Sequence, residues 1–324
     1  MNLSAKQVEL FNKASQALCT ELCADKIIKE MTKVWFITGT SRGLGRSLTE
    51  AVLANGDKVA ATARNPDQLN DLIEKYPENI YPIPLDVTDH EQVKTAVRQT
   101  IDRFGKIDVL VNNAGFGIIG AAEGYTDEQV RSQLDTNFYA PIEITRQVLP
   151  YMRRQRSGRI FQISSIGGRV GNPGLTMYQA AKFGLAGFSE ALAKEVKPLG
   201  IFVTSIEPGG FRTDWAGVSM NFAPEVEGYE QTVGARKALF TSDKFVPMGD
   251  PAKAAKVMID LANNPEPPVH LLLGSEAVAM VKQATILRNE EMEKWLPVST
   301  WTNADDAIDF TQTELGKSFF GAKK

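Results

Sequence analysis

From Lys33 onward, short apolar runs alternate with longer stretches of helical periodicity, and this rhythm leaves few folds open to the chain. Residues 34–37, 58–63, 80–85, 109–111, 159–164, 202–207 and 269–273 read as strands. Residues 45–54, 68–75, 91–104, 128–154, 179–196 and 251–263 read as helices. Strands this short and this apolar are buried on both faces, so helices must cover both sides of a parallel sheet. Right-handed crossovers then make the sheet doubly wound. The α/β reading places one domain at 31–293, after a helical extension over 1–30 and before a C-terminal tail over 294–324. The extension carries Leu10, Phe11, Leu18 and Leu22 at helical intervals. A chain of 324 residues with 43% hydrophobic residues is enough for one large core.

The first strand runs into Thr38-Gly39-Thr40-Ser41-Arg42-Gly43-Leu44-Gly45 and then a helix. Glycines there permit a tight turn and close approach of backbone to a pyrophosphate. The helix N-terminus adds unpaired N–H groups and a dipole that favours an anion. The spacing is neither GxGxxG nor the GxxxxGK[ST] of a phosphate loop, and a tight turn without a ligand is the alternative. In a Rossmann-type sheet the second strand usually ends in an acid that holds a ribose hydroxyl. Here the stretch reads Ala61-Thr62-Ala63-Arg64. Arg42 and Arg64 in place of that acid suit a 2′-phosphate, which favours NADP(H) over NAD(H); otherwise both simply face water.

Ser165 is followed by Tyr178 and, four residues later, Lys182. A four-residue step on a helix puts the phenol and the ammonium on one face. A nearby cation favours the phenolate and lowers the phenol's pKa. Ser165, arriving from a strand end, can donate a hydrogen bond to the same small target. Alone, YxxxK also describes any exposed helix face. Other chemistry has little support. The net charge is only −3, and no long basic run points to nucleic acid. No apolar run approaches the roughly 18 residues of a membrane span, and no secretory segment opens the chain. The two cysteines, Cys19 and Cys23, lie together before residue 31, and the two histidines, His90 and His270, read as structural. No metal site is expected, and a cytoplasmic setting is.

With these motifs in order, the chain resembles the short-chain dehydrogenase/reductase family, in the branch with a TGxxxGxG turn and a YxxxK site, over residues 33–275. The resemblance includes Asp86-Val87-Thr88-Asp89, Asn112-Asn113-Ala114-Gly115, Asn137, and Pro208-Gly209 with Thr213. Around Asn113 and Asn137 it is similar to the 17β-hydroxysteroid and retinol dehydrogenase subgroup. The resemblance implies that Asp86 bonds the adenine amino group, with Val87 beside the ring. It implies that Asn113 ties neighbouring strands, while Ala114 and Gly115 leave room for a ribose. Lys182 would hold the nicotinamide ribose, and Pro208, Gly209 and Thr213 would line the nicotinamide. Tyr178 would transfer the proton, helped by Ser165, with Lys182 and the oxidised nicotinamide lowering its pKa. Asn137, in the long helix, would hold a water joining Lys182 to solvent. The activity implied is NADP(H)-dependent interconversion of a carbonyl and an alcohol.

The substrate side rests on residues 214–248, a long connection with Trp215, Met220, Phe222, Tyr229, Phe240 and Phe245 that reads as a lid. With Phe116, Ile118, Ile119 and Met177 these suggest an apolar ketone or aldehyde; ordinary packing or a subunit contact is the alternative. No basic cluster stands out there for a highly anionic substrate. The tail carries Trp295, Trp301, Phe310, Phe319 and Phe320 and packs on its own body or on a neighbour. The resemblance implies a homodimer or homotetramer, paired through the helices beginning near Glu128 and Tyr178. A non-catalytic dinucleotide sensor on the same fold is the competing reading, although a sensor needs no proton donor. Sugar-nucleotide epimerases share YxxxK, but they carry a TGxxGxxG turn and a longer substrate domain.

Overall fold

The computed structural model describes residues 32–217, 219–242 and 246–320. The expected helical extension 1–30, with both cysteines, and Phe245 of the long connection lie outside these residues. Two compact units divide the chain, Met1–Val278 and Ala279–Lys324.

In the first unit seven parallel strands form one sheet. They are β1 (Val34–Thr38), β2 (Lys58–Ala63), β3 (Ile80–Pro84), β4 (Val109–Asn112), β6 (Gly158–Ile163), β7 (Ile201–Pro208) and β9 (His270–Leu273). Their order across the sheet is β3-β2-β1-β4-β6-β7-β9. The order reverses between β1 and β4, so a crevice opens beyond their carboxyl ends, where α/β sheets bind ligands. Pro82 and Pro84 are tolerated in β3 because it is an edge strand.

Alternation along each strand divides the core in two. Trp35, Ile37, Val59, Val109, Val111 and Phe161 point to one face. There they pack with Leu48 and Val52 of α1 (Gly43–Ala54), and with Met258 and Leu261 of the helix Pro251–Asn263. Phe36, Ala60, Leu110, Ile160 and Val203 point to the other face. Their partners include Val93 and Val97 of the helix His90–Phe104, and Leu192 and Val196 of the helix Thr176–Val196. Each large apolar side chain withdrawn from water contributes roughly 2 kcal/mol, so both helical layers are held tightly to the sheet.

Three features depart from the sequence reading. The expected helix over 68–75 is a 3₁₀ turn, Pro66–Leu69, followed by Asn70–Lys75. The expected unbroken helix over 128–154 is instead a helix Asp127–Leu134, a π-helical turn Asp135–Tyr139, and a second helix Ala140–Gln155. Pro141 supplies the reason, because it has no N–H to give the carbonyl of Asn137 its α-helical bond. Finally, two three-residue strands, β5 (Gly117–Ile119) and β8 (Met220–Phe222), pair in a separate parallel ribbon. That ribbon fastens the long connection beside the end of β4.

In the second unit, the remainder of the helix Ser275–Trp301 is followed by a 3₁₀ turn, Phe310–Gln312, and a short helix, Glu314–Phe320. The rings of Phe310 and Phe319 meet Phe320 edge-on at 6.1 and 5.6 Å. No helix among the described residues is long and apolar enough to cross a membrane.

Candidate active site

The glycine turn after β1 is built by close contact. Gly39 and Gly43 have φ of 70° and 58°, a region that glycine enters without strain. Gly39 N–H and Thr40 N–H both donate to the Thr62 carbonyl at 3.0 Å, which pins the turn to the end of β2. A Cβ on Gly45 would lie 2.3 Å from both the Gly39 carbonyl and Asn113 Nδ2. Asn113 is the clasp on the other side. Its Nδ2 donates to the carbonyls of Thr38 at 2.8 Å and Gly39 at 3.0 Å. Thr38 Oγ1 accepts from Asn113 N at 2.9 Å and Ala114 N at 3.0 Å. Asn113 therefore joins the ends of β1 and β4, as the resemblance implied.

The first turn of α1 has no acidic residue and no side-chain cap, so its N–H groups and dipole are left to a ligand. Ser41 and Leu44 belong to this turn, and Thr213 lies over it, with Thr213 Cβ 3.6 Å from where Gly43 would carry a Cβ. Arg42 and Arg64 are exposed and make no hydrogen bond or ion pair with the described residues. Arg46, by contrast, is spent on Glu50 and Asp71. On the next strand end, Asp86 Oδ1 accepts from Thr88 N at 2.9 Å and Thr88 Oγ1 at 2.7 Å, with Val87 between them half-buried. These residues fit a phosphorylated dinucleotide: the glycines leave a cradle that Cβ atoms would fill, and two unpaired guanidiniums stand beside it.

Ser165 follows β6. Its Oγ accepts from Gly167 N at 2.9 Å, which occupies a lone pair and leaves its proton to donate. A hydrogen bond links it to Tyr178. Tyr178 and Lys182 stand one turn apart near the start of the helix Thr176–Val196, and each is only 5% exposed. Lys182 Nζ donates to the Ile163 carbonyl at 2.7 Å and lies 5.8 Å from the Tyr178 ring centre. A Cβ on Gly115 would be 3.1 Å from Asn137 Oδ1 and 3.8 Å from Lys182 Nζ. Gly115, Asn137 and Lys182 thus share one corner.

Burial dominates the electrostatics of this corner. Burial pushes the Tyr178 phenol up to about 12, and the Ser165 hydrogen bond only partly opposes this. Burial likewise pushes Lys182 down to about 8. Both shifts have the same physical cause, the loss of water around a charge. The 2.7 Å bond to the Ile163 carbonyl favours the ammonium and works against that burial.

Asn137 lies within the π-helical turn, wholly buried. Its side chain is engaged with one residue: Oδ1 accepts from Phe116 N at 3.1 Å and Nδ2 donates to Phe116 O at 2.7 Å. Pro141, four positions on, offers its main-chain carbonyl no N–H, which suits the water role that the resemblance implied. The wider turn is a common device at functional sites.

Several supporting residues were missed from sequence. Gln133 donates to Phe116 O at 2.9 Å and accepts from Ile118 N at 3.0 Å, so it shares with Asn137 the task of holding the strand of Phe116 to Ile119. Glu276 Oε1 accepts from Gly210 N at 2.9 Å, and Gly209 N donates to the Leu273 carbonyl at 2.8 Å. Together they fasten the loop after Pro208 and Gly209. Glu207, with no exposed side chain, accepts from Arg169 at 3.1 Å and Ser205 Oγ at 3.1 Å and meets His270 Nδ1 at 2.7 Å. The Arg169 contact ties the loop after Ser165 to the end of β7. A glutamate inside a strand buried along most of its length was the available signal.

Above Tyr178 the wall is apolar. Ile119, Leu175, Tyr178 and Met220 form a buried cluster with Trp215, Val233 and Phe240 packed on it. The Trp215 ring lies 5.4 Å from Tyr178 and 5.9 Å from Phe240. The described residues of the expected lid up to Phe240 are therefore held by short elements and by this cluster. Tyr229 is instead at the rim, its hydroxyl donating to Glu123 Oε1 at 2.8 Å.

Comparison with known proteins gives a consistent result. A family model described as short chain dehydrogenase matches residues 33–221. The oxidoreductase BOA17 of Botryotinia fuckeliana is 44% identical over 270 residues, covering 83% of this chain and 98% of that protein. A solved short-chain dehydrogenase from Streptomyces avermitilis is similar with a TM-score of 0.80 at 38% identity, over 84% of this chain and 100% of the other. The structure of ElxO with NADP bound is similar with a TM-score of 0.65 at 26% identity, over 77% and 100% of the two chains.

Proposed function

The chain belongs to the short-chain dehydrogenase family, and from that premise we propose that it is an NADP(H)-dependent oxidoreductase interconverting an apolar ketone or aldehyde and the corresponding alcohol. The observation that carries this reading is a half-buried Ser165 beside a buried Tyr178 and Lys182, next to a glycine turn flanked by two arginines that are unpaired among the described residues.

The bound nicotinamide supplies the hydride, and the protein supplies position and a proton. Tyr178, kept protonated by burial, enters the reducing direction already carrying the proton that a developing alkoxide needs. Ser165, its oxygen fixed by Gly167 N, directs its own proton to the same oxygen and stabilises the charge as it forms. The phenolate left behind has the Lys182 ammonium beside it, and opposite charge favours that state. Arg42 and Arg64 would hold the 2′-phosphate of NADP(H), which ElxO binds in its own structure. Asp86, Val87, Asn113, Ala114, Gly115, Pro208, Gly209 and Thr213 would line the rest of the dinucleotide. The apolar cluster over Tyr178 would exclude water from the reacting carbonyl. A sensor without chemistry has no use for a buried Tyr178 and Lys182.

The test mixes the protein with NADPH or NADH and a panel of ketones, aldehydes, steroids and retinoids, following nicotinamide absorbance. Turnover of an apolar carbonyl with NADPH is expected. Tyr178→Phe should bind NADPH within a few-fold of wild type and lose at least about 100-fold in kcat. Full turnover by that variant would remove the proton role, and equal efficiency with NADH would remove the cofactor preference.

A further inference from the structure

Among the described residues, the apolar wall over Tyr178 is bordered by a cation, Arg236, that has no anion. Arg236 sits in a short helix, Ala235–Phe240, at the outer end of the aromatic stack. Its guanidinium lies 5.8 Å from the Phe240 ring, which meets Trp215, which in turn meets Tyr178. Its stem runs along the inner wall: a Cβ on Gly174 would touch Arg236 Cγ at 3.5 Å and Ile119 Cγ2 at 3.6 Å. Arg236 therefore borders the same cluster that seats the Tyr178 ring.

Among the described residues Arg236 forms no hydrogen bond and no ion pair. Three acids on or against the same connection are engaged elsewhere. Glu225 pairs with Lys237 at 2.6 Å, Glu123 accepts from Tyr229, and Glu230 Oε1 accepts from Gly228 N at 2.9 Å. Burial lowers the Arg236 pKa. Arg159 is similarly depressed but donates to the carbonyls of Gly158 at 3.1 Å and Asn264 at 2.9 Å. A guanidinium keeps its charge and five donors in any surroundings, so half-burying one without an acceptor is a standing cost. A carboxylate or phosphate matched to the fork removes that cost.

We propose that Arg236 recognises an oxyanion, a carboxylate or phosphate, at the far end of the substrate, whose apolar middle lies on Phe240, Trp215 and Ile119 and whose carbonyl reaches Tyr178 and Ser165. This rests on the carbonyl-reducing reading of the site. It adds to the expectation of an apolar substrate: the body is apolar and the end is charged. A single arginine in a long connection does not stand out in sequence, because most such residues face water.

The test measures binding and turnover separately on the full chain with NADPH. Calorimetric titration with octanoate, octyl phosphate and octanamide should give at least tenfold tighter binding of one or both anions than of the neutral amide. Whichever anion binds tighter identifies the chemical source. In Arg236→Gln the anion-to-amide ratio should fall to near one, while Arg236→Lys should recover part of it. Equal affinity for anions and amide in the wild type overturns the proposal, as does an Arg236→Gln variant that weakens all three alike. Steady-state kinetics on 7-oxooctanoate and 7-oxooctanamide should show the same ratio in KM, with kcat similar. Anion selectivity without turnover of either compound would leave the Arg236 site standing and reject the carbonyl reading. Equal turnover of both, with a silent Arg236→Gln, would do the reverse.

Discussion

Replacing Lys182 by methionine should leave the fold as stable as before, or more so, at pH 7 while removing turnover. Burial takes the lysine from its ordinary 10.5 to about 8. At about 1.4 kcal/mol per unit, the folded protein carries a charged Lys182 at pH 7 at a cost of roughly 3 kcal/mol relative to the neutral amine. Methionine is of similar length and removes that cost. It also removes the 2.7 Å bond to the Ile163 carbonyl, worth about 1–3 kcal/mol for a charged donor. The net expectation is a variant between unchanged and about 2 kcal/mol more stable at pH 7. The pH dependence gives the sharper test. Between pH 8 and 10.5 the unfolded chain holds this proton and the folded chain releases it, so wild-type stability climbs across that window. Tyr178 acts in the opposite sense. Its folded value of about 12 exceeds the ordinary 10, so its contribution is complete below pH 10 and is lost between 10 and 12. Wild-type stability should therefore rise from pH 8 toward 10 and fall beyond it, and Lys182→Met should lack the rise. Urea unfolding of both proteins at pH 7, 8, 9 and 10, at constant ionic strength, measures this. A loss greater than about 2 kcal/mol in the variant at pH 7, or a difference between the two proteins that does not change with pH, would refute the reasoning.

Two further outcomes follow from the cofactor turn. Gly45→Ala places a Cβ 2.3 Å from the Gly39 carbonyl and Asn113 Nδ2, so about 1–3 kcal/mol of stability and most NADPH affinity should be lost. Gly187→Ala, with nothing within 4 Å on its helix, should instead gain about 0.5–1 kcal/mol; thermal unfolding and NADPH titration of the pair provide the check. Arg42→Ala and Arg64→Ala should each cut the NADPH-over-NADH ratio in kcat/KM by about tenfold, the size of one charge-assisted contact at an open surface. A double variant with an unchanged ratio would sink the 2′-phosphate assignment.

Most of the sheet was legible because a buried parallel strand is apolar along its whole length and a covering helix repeats every 3.6 residues. Every one of the seven expected strands appears in the main sheet. The π-helical turn was harder, yet Pro141 marks it once its missing N–H is traced back to Asn137. The ribbon of Gly117–Ile119 and Met220–Phe222 left no periodic signal, because three residues are too few to show alternation. The roles of Gln133, Glu207 and Glu276 were hidden for another reason. Each matters only through the group it reaches: the Phe116 and Ile118 backbone, Arg169 with His270, and Gly210 N.

The order of apolar runs and the placing of glycine, serine, tyrosine and lysine decided, before any folding, that this chain makes a parallel sheet with a glycine turn after its first strand and a tyrosine one helical turn from a lysine. Those features are local, set by backbone sterics and by side-chain period over a few residues. What the tertiary structure alone decided is the state of the groups once assembled: a phenol held protonated, an amine pushed toward neutrality, and an arginine left without an anion. Each of these depends on how much water packing removes and on which partner arrives from a distant segment, and no spacing along the chain encodes either.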